Sequence, residues 1–201
     1  MTQKYDAAQI KVLEGLEAVR KRPGMYIGNT SKSGLNHLVF EVVDNSIDEA
    51  MAGHCTEVTV TIEEGNIVTV IDNGRGIPHD TIHDEESGKK IKRPVAAWTR
   101  VNAGTSFDDE RVTIGTNGVG SAATNFLSKS FQGRTWSDGN LLEVTCTDGG
   151  NTINVKEKKR AGSGTEVSFT PDFSLFETNS LSTLGTLDLL EDRLISLSMS
   201  F

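Results

Sequence analysis

Apolar and polar positions along this chain follow two rhythms, and the points where the rhythm changes divide it into elements. From Leu35 to Ala52 the spacing is helical, with Leu35, Val39, Val42, Val43, Ser46 and Ala50 on one side and Glu41, Asn45 and Asp48 along the neighbouring edge. A core helix needs only the first set. The polar edge by itself also suits a surface helix whose acids face water. Before it, Ala8 to about Arg20 has helical spacing through Ile10, Leu13, Leu16 and Val19, and residues 1–8 read as a free arm. Pro23 and Gly24 are expected to end that helix and leave Met25 to Gly28 extended; Gly53 should close the Leu35–Ala52 helix. The period then drops to two at Glu57–Ile62 and Ile67–Ile71, with turn chemistry between them, which predicts a hairpin. His79 to Arg93 shows no period and reads as an exposed loop, and Pro94 to Asn102 as a short helix with Pro94 in its first turn. An apolar helical run covers Ser121 to Leu127. Further strands are predicted at about Ser130–Thr135, Leu141–Thr147, Asn151–Lys156 and Thr165–Thr170, and a last helix over Leu181–Met199.

Composition narrows the class without naming a function. The 201 residues are 36% hydrophobic and 24% charged with no evident linker, so one domain over residues 1–201 is expected. A net charge of -8 argues against gripping nucleic acid through the overall field, and any DNA contact is expected to lie elsewhere in a longer protein. No long apolar run or signal peptide appears, so the expectation is a cytoplasmic chain with no membrane partner. Cys55 and Cys146 read as reduced thiols, and His37, His54, His79 and His83 lack zinc-site spacing and read as ordinary histidines.

Two stretches carry candidate chemistry. Asp72-Asn73-Gly74-Arg75-Gly76-Ile77-Pro78 follows directly on a predicted strand. The same residues make a routine turn, but a strand-end carboxylate can also accept from an exocyclic amine while positions without side chains let a flat ring approach the backbone. Between Ala103 and Gly120, glycines at 104, 115, 118 and 120 precede an apolar helical run. A flexible loop accounts for this pattern as well as an anion site of free backbone N–H groups does.

In order and spacing, Glu41-x-x-x-Asn45, Asp72-x-Gly74-x-Gly76, the Gly115–Gly120 loop and Gly164-Thr165 resemble the ATP-binding fold shared by DNA gyrase B, Hsp90, MutL and histidine kinases. The segments Lys21–Gly28, Glu41–Ala50 and Asp72–Pro78 are similar to the ATPase domain of type IIA DNA topoisomerases, over nearly the whole chain. Pro94–Trp98, Gly115–Ser121 and Pro171–Asn179 look closest to the large subunits of tailed-phage topoisomerases, with bacterial gyrase B and ParE as near neighbours. The resemblance implies the cytoplasm of a bacterial or phage-infected bacterial cell, without deciding between the two origins.

The resemblance implies an α+β fold, a two-layer α/β sandwich of the GHKL (Bergerat) type with a mixed, mostly antiparallel sheet, helices on one face and a glycine-rich ATP lid over about residues 103–120. It implies ATP and Mg²⁺ as cofactors, with Glu41 as general base and Asn45 as the magnesium ligand. Asp72 would receive the adenine amine with Thr165 helping through a water, Glu49 and Arg75 would pair beside the adenine, and Asp48 would support the polar network. Gly76, Ile77 and Pro78 would wall the adenine pocket. Gly104, Gly118, Val119 and Gly120 would reach the phosphates, with Asn117 shaping the lid. Tyr5 and Ile10 match an arm that closes over the partner's nucleotide, so a homodimer on ATP binding is implied, joined to a DNA-cleaving domain or subunit. The chain departs from the family pattern at Gly104-Thr105-Ser106, where a second glycine and a lysine or similar polar residue are usual, so a phosphate contact is expected to be lost or moved there. The catalytic lysine of the transducer domain and the DNA-cleavage machinery would lie beyond Phe201. The function so implied is Mg-dependent ATP hydrolysis that drives dimer gating and DNA strand passage. The alternative is an ATP-controlled dimerisation switch with little hydrolysis; a MutL-like or histidine-kinase role fits less well, given Lys21–Gly28 and the lack of a phosphoacceptor-histidine helix.

Overall fold

The computed structural model describes residues 15–84, 86–101, 120–181 and 183–198. Helices α1 (Gly15–Lys21), α2 (Gly24–Ile27) and α3 (Lys32–Met51) lead into strands β1 (Val58–Glu63) and β2 (Ile67–Asp72). A short hairpin of β3 (Thr81–Asp84) and β4 (Lys89–Lys92) runs into α4 (Arg93–Thr99). After α5 (Gly120–Phe126) come β5 (Ser128–Ser137), β6 (Asn140–Thr147), β7 (Thr152–Lys159) and β8 (Gly164–Pro171), and α6 (Thr183–Ser198) closes the order.

Six strands form one sheet in the order β1-β2-β8-β5-β6-β7, and every adjacent pair is antiparallel. Strand β8 therefore sits between β2 and β5 and sets Thr165 opposite both Asp72 and Thr135. One face of the sheet is apolar through Val68, Val70, Phe131, Leu142, Val144, Val167 and Phe169, and the helices cover it with Leu35, Leu38, Val39, Val42, Val43, Trp98, Ala123 and Phe126. On the opposite face polar pairs take over: Thr69 donates to Ser168 at 3.0 Å, and Arg134 bonds Glu143 at 2.9 Å and Glu166 at 2.7 Å. This is the two-layer α+β sandwich that the resemblance implies.

Helix α3 begins one turn earlier than the apolar period suggests, because Ser31 caps it and the Asn29 side-chain oxygen accepts from the N–H groups of Ser31 and Gly34, both at 3.0 Å. Its buried stripe is broader than the sequence pattern, adding Leu38 and Ile47, whereas Ala50 is only half-buried. Ala52 is the C-cap, and Gly53 follows it at φ +79°.

Two expectations are corrected. Met25 to Gly28 is not extended: Pro23 lies at φ -55° and ψ -41°, its carbonyl accepts from Tyr26 at 2.9 Å and Ile27 at 3.0 Å, and a single helical turn results. The proline that ends one helix starts the next, since its fixed φ suits a first turn and its missing N–H is not needed there. Nor is His79–Arg93 a plain loop. It carries the β3–β4 hairpin, in which Ile82 faces Ile91 across the strands. Arg93 bonds Asp80 at 2.8 and 2.7 Å and Arg100 bonds Asp84 at 2.9 and 3.0 Å, so the hairpin is held largely by charge from outside its strands.

Candidate functional site

The polar edge of α3 faces the ends of β2, β8 and β5, and the site lies between them. At its floor is Asp72, 8% exposed at the end of β2. Its carboxylate accepts from the Ser46 hydroxyl at 2.9 Å and the Gly74 N–H at 3.0 Å. Burial pushes this carboxyl above the ordinary aspartate value, and the bonds from Gly74, Ser46 and the Thr165 amide offset only part of that. A buried carboxylate with so few donors has room for one more, and its natural complement is a ligand N–H.

The turn after Asp72 is shaped for close approach. Gly76 has φ +75°, and a Cβ there would come within 2.5 Å of the Trp136 carbonyl oxygen, so the backbone runs flat against β5. Thr135 fixes the next residue, accepting from the Ile77 N–H at 2.7 Å and donating to the Gly164 carbonyl at 3.3 Å. Ile77 packs on the core, and Pro78 is exposed beside it. Arg75 grips Glu49 through two guanidinium bonds of 2.7 and 2.9 Å, and its own N–H reaches Glu49 at 2.9 Å. The guanidinium holds the Glu49 carboxyl below the usual range. A pair this exposed contributes only about 0.2–1 kcal/mol, so its main effect is to set the path of the turn against α3.

One to two turns nearer the start of α3 the chemistry changes. His37 Nε2 lies 2.9 Å from Glu41 Oε1, one helical turn away. The other carboxylate oxygen, Oε2, rests against the backbone of Gly120, so closely that no Cβ could be placed there. Asn45 follows on the same edge, its amide nitrogen donating to the Glu41 carbonyl at 2.7 Å and to Ser121 Oγ at 3.0 Å. Asp48 is half-buried on the same helix. Among the described residues no group of three His, Cys, Asp or Glu side chains could hold a metal ion. Asn45 therefore offers a single neutral oxygen, which suits a hard cation that brings waters and other oxygen ligands of its own.

The structure thus brings Glu41, Asn45, Glu49, Asp72, Arg75, Gly76, Ile77, Gly120 and Thr165 to one cleft. Tyr5, Ile10, Gly104, Asn117, Gly118 and Val119 lie outside the described residues. Four side chains join the site with no prior role from the sequence: His37 on Glu41, Ser46 on Asp72, Thr135 under Ile77 and Ser121 on Asn45. Helical spacing from Glu41 could have found His37. The others come from, or reach to, distant elements and left no local signal.

The family described as "Histidine kinase-, DNA gyrase B-, and HSP90-like ATPase" matches residues 30–175. The B subunit of DNA topoisomerase 4 from Mycoplasma capricolum is 46% identical over 181 residues, covering 86% of this chain and 27% of that protein. DNA gyrase B of Chlamydia muridarum is 46% identical over 185 residues, with 87% and 22% covered. DNA gyrase B of Borreliella burgdorferi is 44% identical over 197 residues, with 96% and 30% covered. The chain thus spans less than a third of the length of these relatives.

Proposed function

The chain belongs to the histidine kinase-, DNA gyrase B- and HSP90-like ATPase family, and from that premise we propose that its cleft binds Mg-ATP and hydrolyses it to drive dimer gating and strand passage in a type II DNA topoisomerase. One observation carries the reading: a buried carboxylate, Asp72, and a half-buried one, Glu41, sit on one helix–sheet cleft in environments that suit different work. Asp72 accepts the adenine amine and, with Thr165 beside it, sets the depth of the base. Gly74, Gly76, Ile77 and Pro78 form its wall, and the Glu49–Arg75 pair keeps that wall in place. Asp48 supports the polar edge.

At the other end Glu41 receives a proton from the attacking water. His37 holds Oε1, so Oε2 beside Gly120 is left for that water. Gly120 and the lid residues Gly104, Asn117, Gly118 and Val119 are assigned to the phosphates. Asn45 holds the magnesium, which when bound neutralises charge on the phosphate oxygens. The homodimer closed through Tyr5 and the N-terminal arm, the DNA-cleaving partner, contact with DNA in the whole enzyme and a cytoplasmic site of action belong to the same reading. Among the described residues no helix is long and apolar enough to cross a membrane.

Calorimetry with an ATP analogue, combined with turnover of the full-length enzyme, tests the two halves. Asp72→Ala should weaken binding by about 1.5–3 kcal/mol, ten- to a hundredfold or more, because a charged acceptor is lost and the amine is left unpaired. Glu41→Gln should bind nucleotide like the parent and lose hydrolysis. Unaltered binding in the first variant, or unaltered turnover in the second, would remove the corresponding assignment.

A further inference from the structure

The metal position depends on which way one amide faces. An asparagine side chain presents an oxygen on one side and two hydrogens on the other, and only the oxygen can bind a cation. Here both hydrogens of Asn45 are spent within the protein, one on the Glu41 carbonyl at 2.7 Å and one on Ser121 Oγ at 3.0 Å. A carbonyl only accepts, so the nitrogen must face Glu41. That bond decides which end of the amide is which. A single bond still leaves the amide plane free to swing about the N···O axis. The second bond, to a different element, removes that freedom, leaving the carbonyl oxygen to meet whatever arrives from solvent.

Resting on the nucleotide reading above, we propose that Ser121 is a positioning residue for the cation: its hydroxyl ties the Asn45 amide across from α5 to α3 and aims Oδ1 at the magnesium that accompanies the phosphates. Ser121 touches neither nucleotide nor metal in this role. It acts through Asn45 and stands next to Gly120, whose backbone lies against Glu41. One serine at the start of α5 thus links the metal ligand to the element that carries the phosphate-facing backbone. The alternative is that Ser121 merely fills space at the α3–α5 contact, and the two roles part in their dependence on metal.

The test measures binding rather than turnover. Kd for the β,γ-imido analogue of ATP is obtained by calorimetry in excess Mg²⁺ and in EDTA, for the parent chain, Ser121→Val and Ser121→Thr. Valine and threonine share a shape and differ by the hydroxyl, so packing is held constant between the variants, and thermal melting confirms that both are folded. The ratio Kd(EDTA)/Kd(Mg) should fall about three- to tenfold in Ser121→Val, the worth of one modest hydrogen bond. It should recover in Ser121→Thr, while Kd in EDTA stays within about twofold of the parent throughout. On an Asn45→Ala background Ser121→Val should change nothing further. An unchanged ratio, or an equal loss with and without metal, would overturn the proposal while leaving the nucleotide site standing. A parent whose affinity ignores Mg²⁺ would also overturn it. A parent that binds no nucleotide at all would overturn the functional reading, and this one with it.

Discussion

Burial holds the Asp72 carboxyl above its ordinary value, so ionising this group is less favourable in the fold than in water. For a carboxylate raised in the folded state, the stabilising contribution is present in acid, below the ordinary 3.8, and is lost as pH rises through the raised value. A neutral side chain of the same shape should therefore suit the empty protein better. Asparagine can still accept from Gly74 through Oδ1 and donate to Ser46 through its nitrogen, so both of those contacts can be kept. Asp72→Asn should raise the melting temperature of the nucleotide-free chain near pH 7, with the gain shrinking toward pH 4, while weakening nucleotide binding. Thermal melts from pH 4 to 8 check this. A variant that melts below the parent at pH 7 would show that the carboxylate serves the fold and not the ligand. The conflict itself is characteristic of binding sites, where a group is kept ready for a partner at some expense to the empty protein.

Among the elements, the β3–β4 hairpin depends most on charge. Its strands bury little; its ends are held by the Asp80–Arg93 and Asp84–Arg100 pairs. The Arg100 guanidinium, helped by the Ser87 hydroxyl, holds the Asp84 carboxyl down at about 2. The sign is opposite to that at Asp72: a lowered value contributes stability that is present above the ordinary 3.8 and lost as pH falls toward about 2. Asp84 is itself buried while its partner Arg100 reaches solvent, and after that screening Asp84→Asn should cost on the order of 1 kcal/mol at pH 7. The gap between parent and variant, read from urea midpoints, should narrow steadily as pH falls from about 5 to 3. A gap that stays constant would place the loss in packing instead of charge. By contrast, α3 needs no such help, since its stripe from Leu35 to Ile47 is buried against the sheet.

At the scale of the whole molecule, the cleft joins its two layers. Asp72, Thr165 and Thr135 come from three neighbouring strands, while Glu41, Asn45, Ser46 and Glu49 come from the helix packed over them. A ligand that touches both layers stabilises the folded chain as a unit by mass action, about 2.7 kcal/mol at a hundred times Kd. For a domain near this length that is a rise of roughly 5–10 °C in melting temperature. The Mg-bound ATP analogue should produce such a shift in the parent chain and about half of it or less at the same concentration in Asp72→Ala, as a ten- to hundredfold weaker Kd requires. A shift of equal size in both would mean that the stabilising contacts do not involve the floor of the cleft.

Local pattern alone determined much of this protein. The period of 3.6 in α3, the period of two in β1, β2, β5, β6 and β8, and the family resemblance of Glu41–Asn45 and Asp72–Gly76 were legible because each is a property of neighbouring residues. The turn at Met25 and the β3–β4 hairpin were not. In the first a proline suits a helix start as well as a helix end, and in the second the apolar alternation is reduced to Ile82 and Ile91 while the holding charges come from Asp80, Arg93 and Arg100. The tertiary structure alone decided the partners of the site residues. Ser46 is 26 positions from Asp72, Thr135 is 58 from Ile77, and Ser121 is 76 from Asn45. A single hydrogen bond involving a hydroxyl across such a separation leaves no periodicity and no compositional trace. It exists because β8 inserts between β2 and β5 and because α5 lies along α3, and both are consequences of burying one apolar face of a six-stranded sheet.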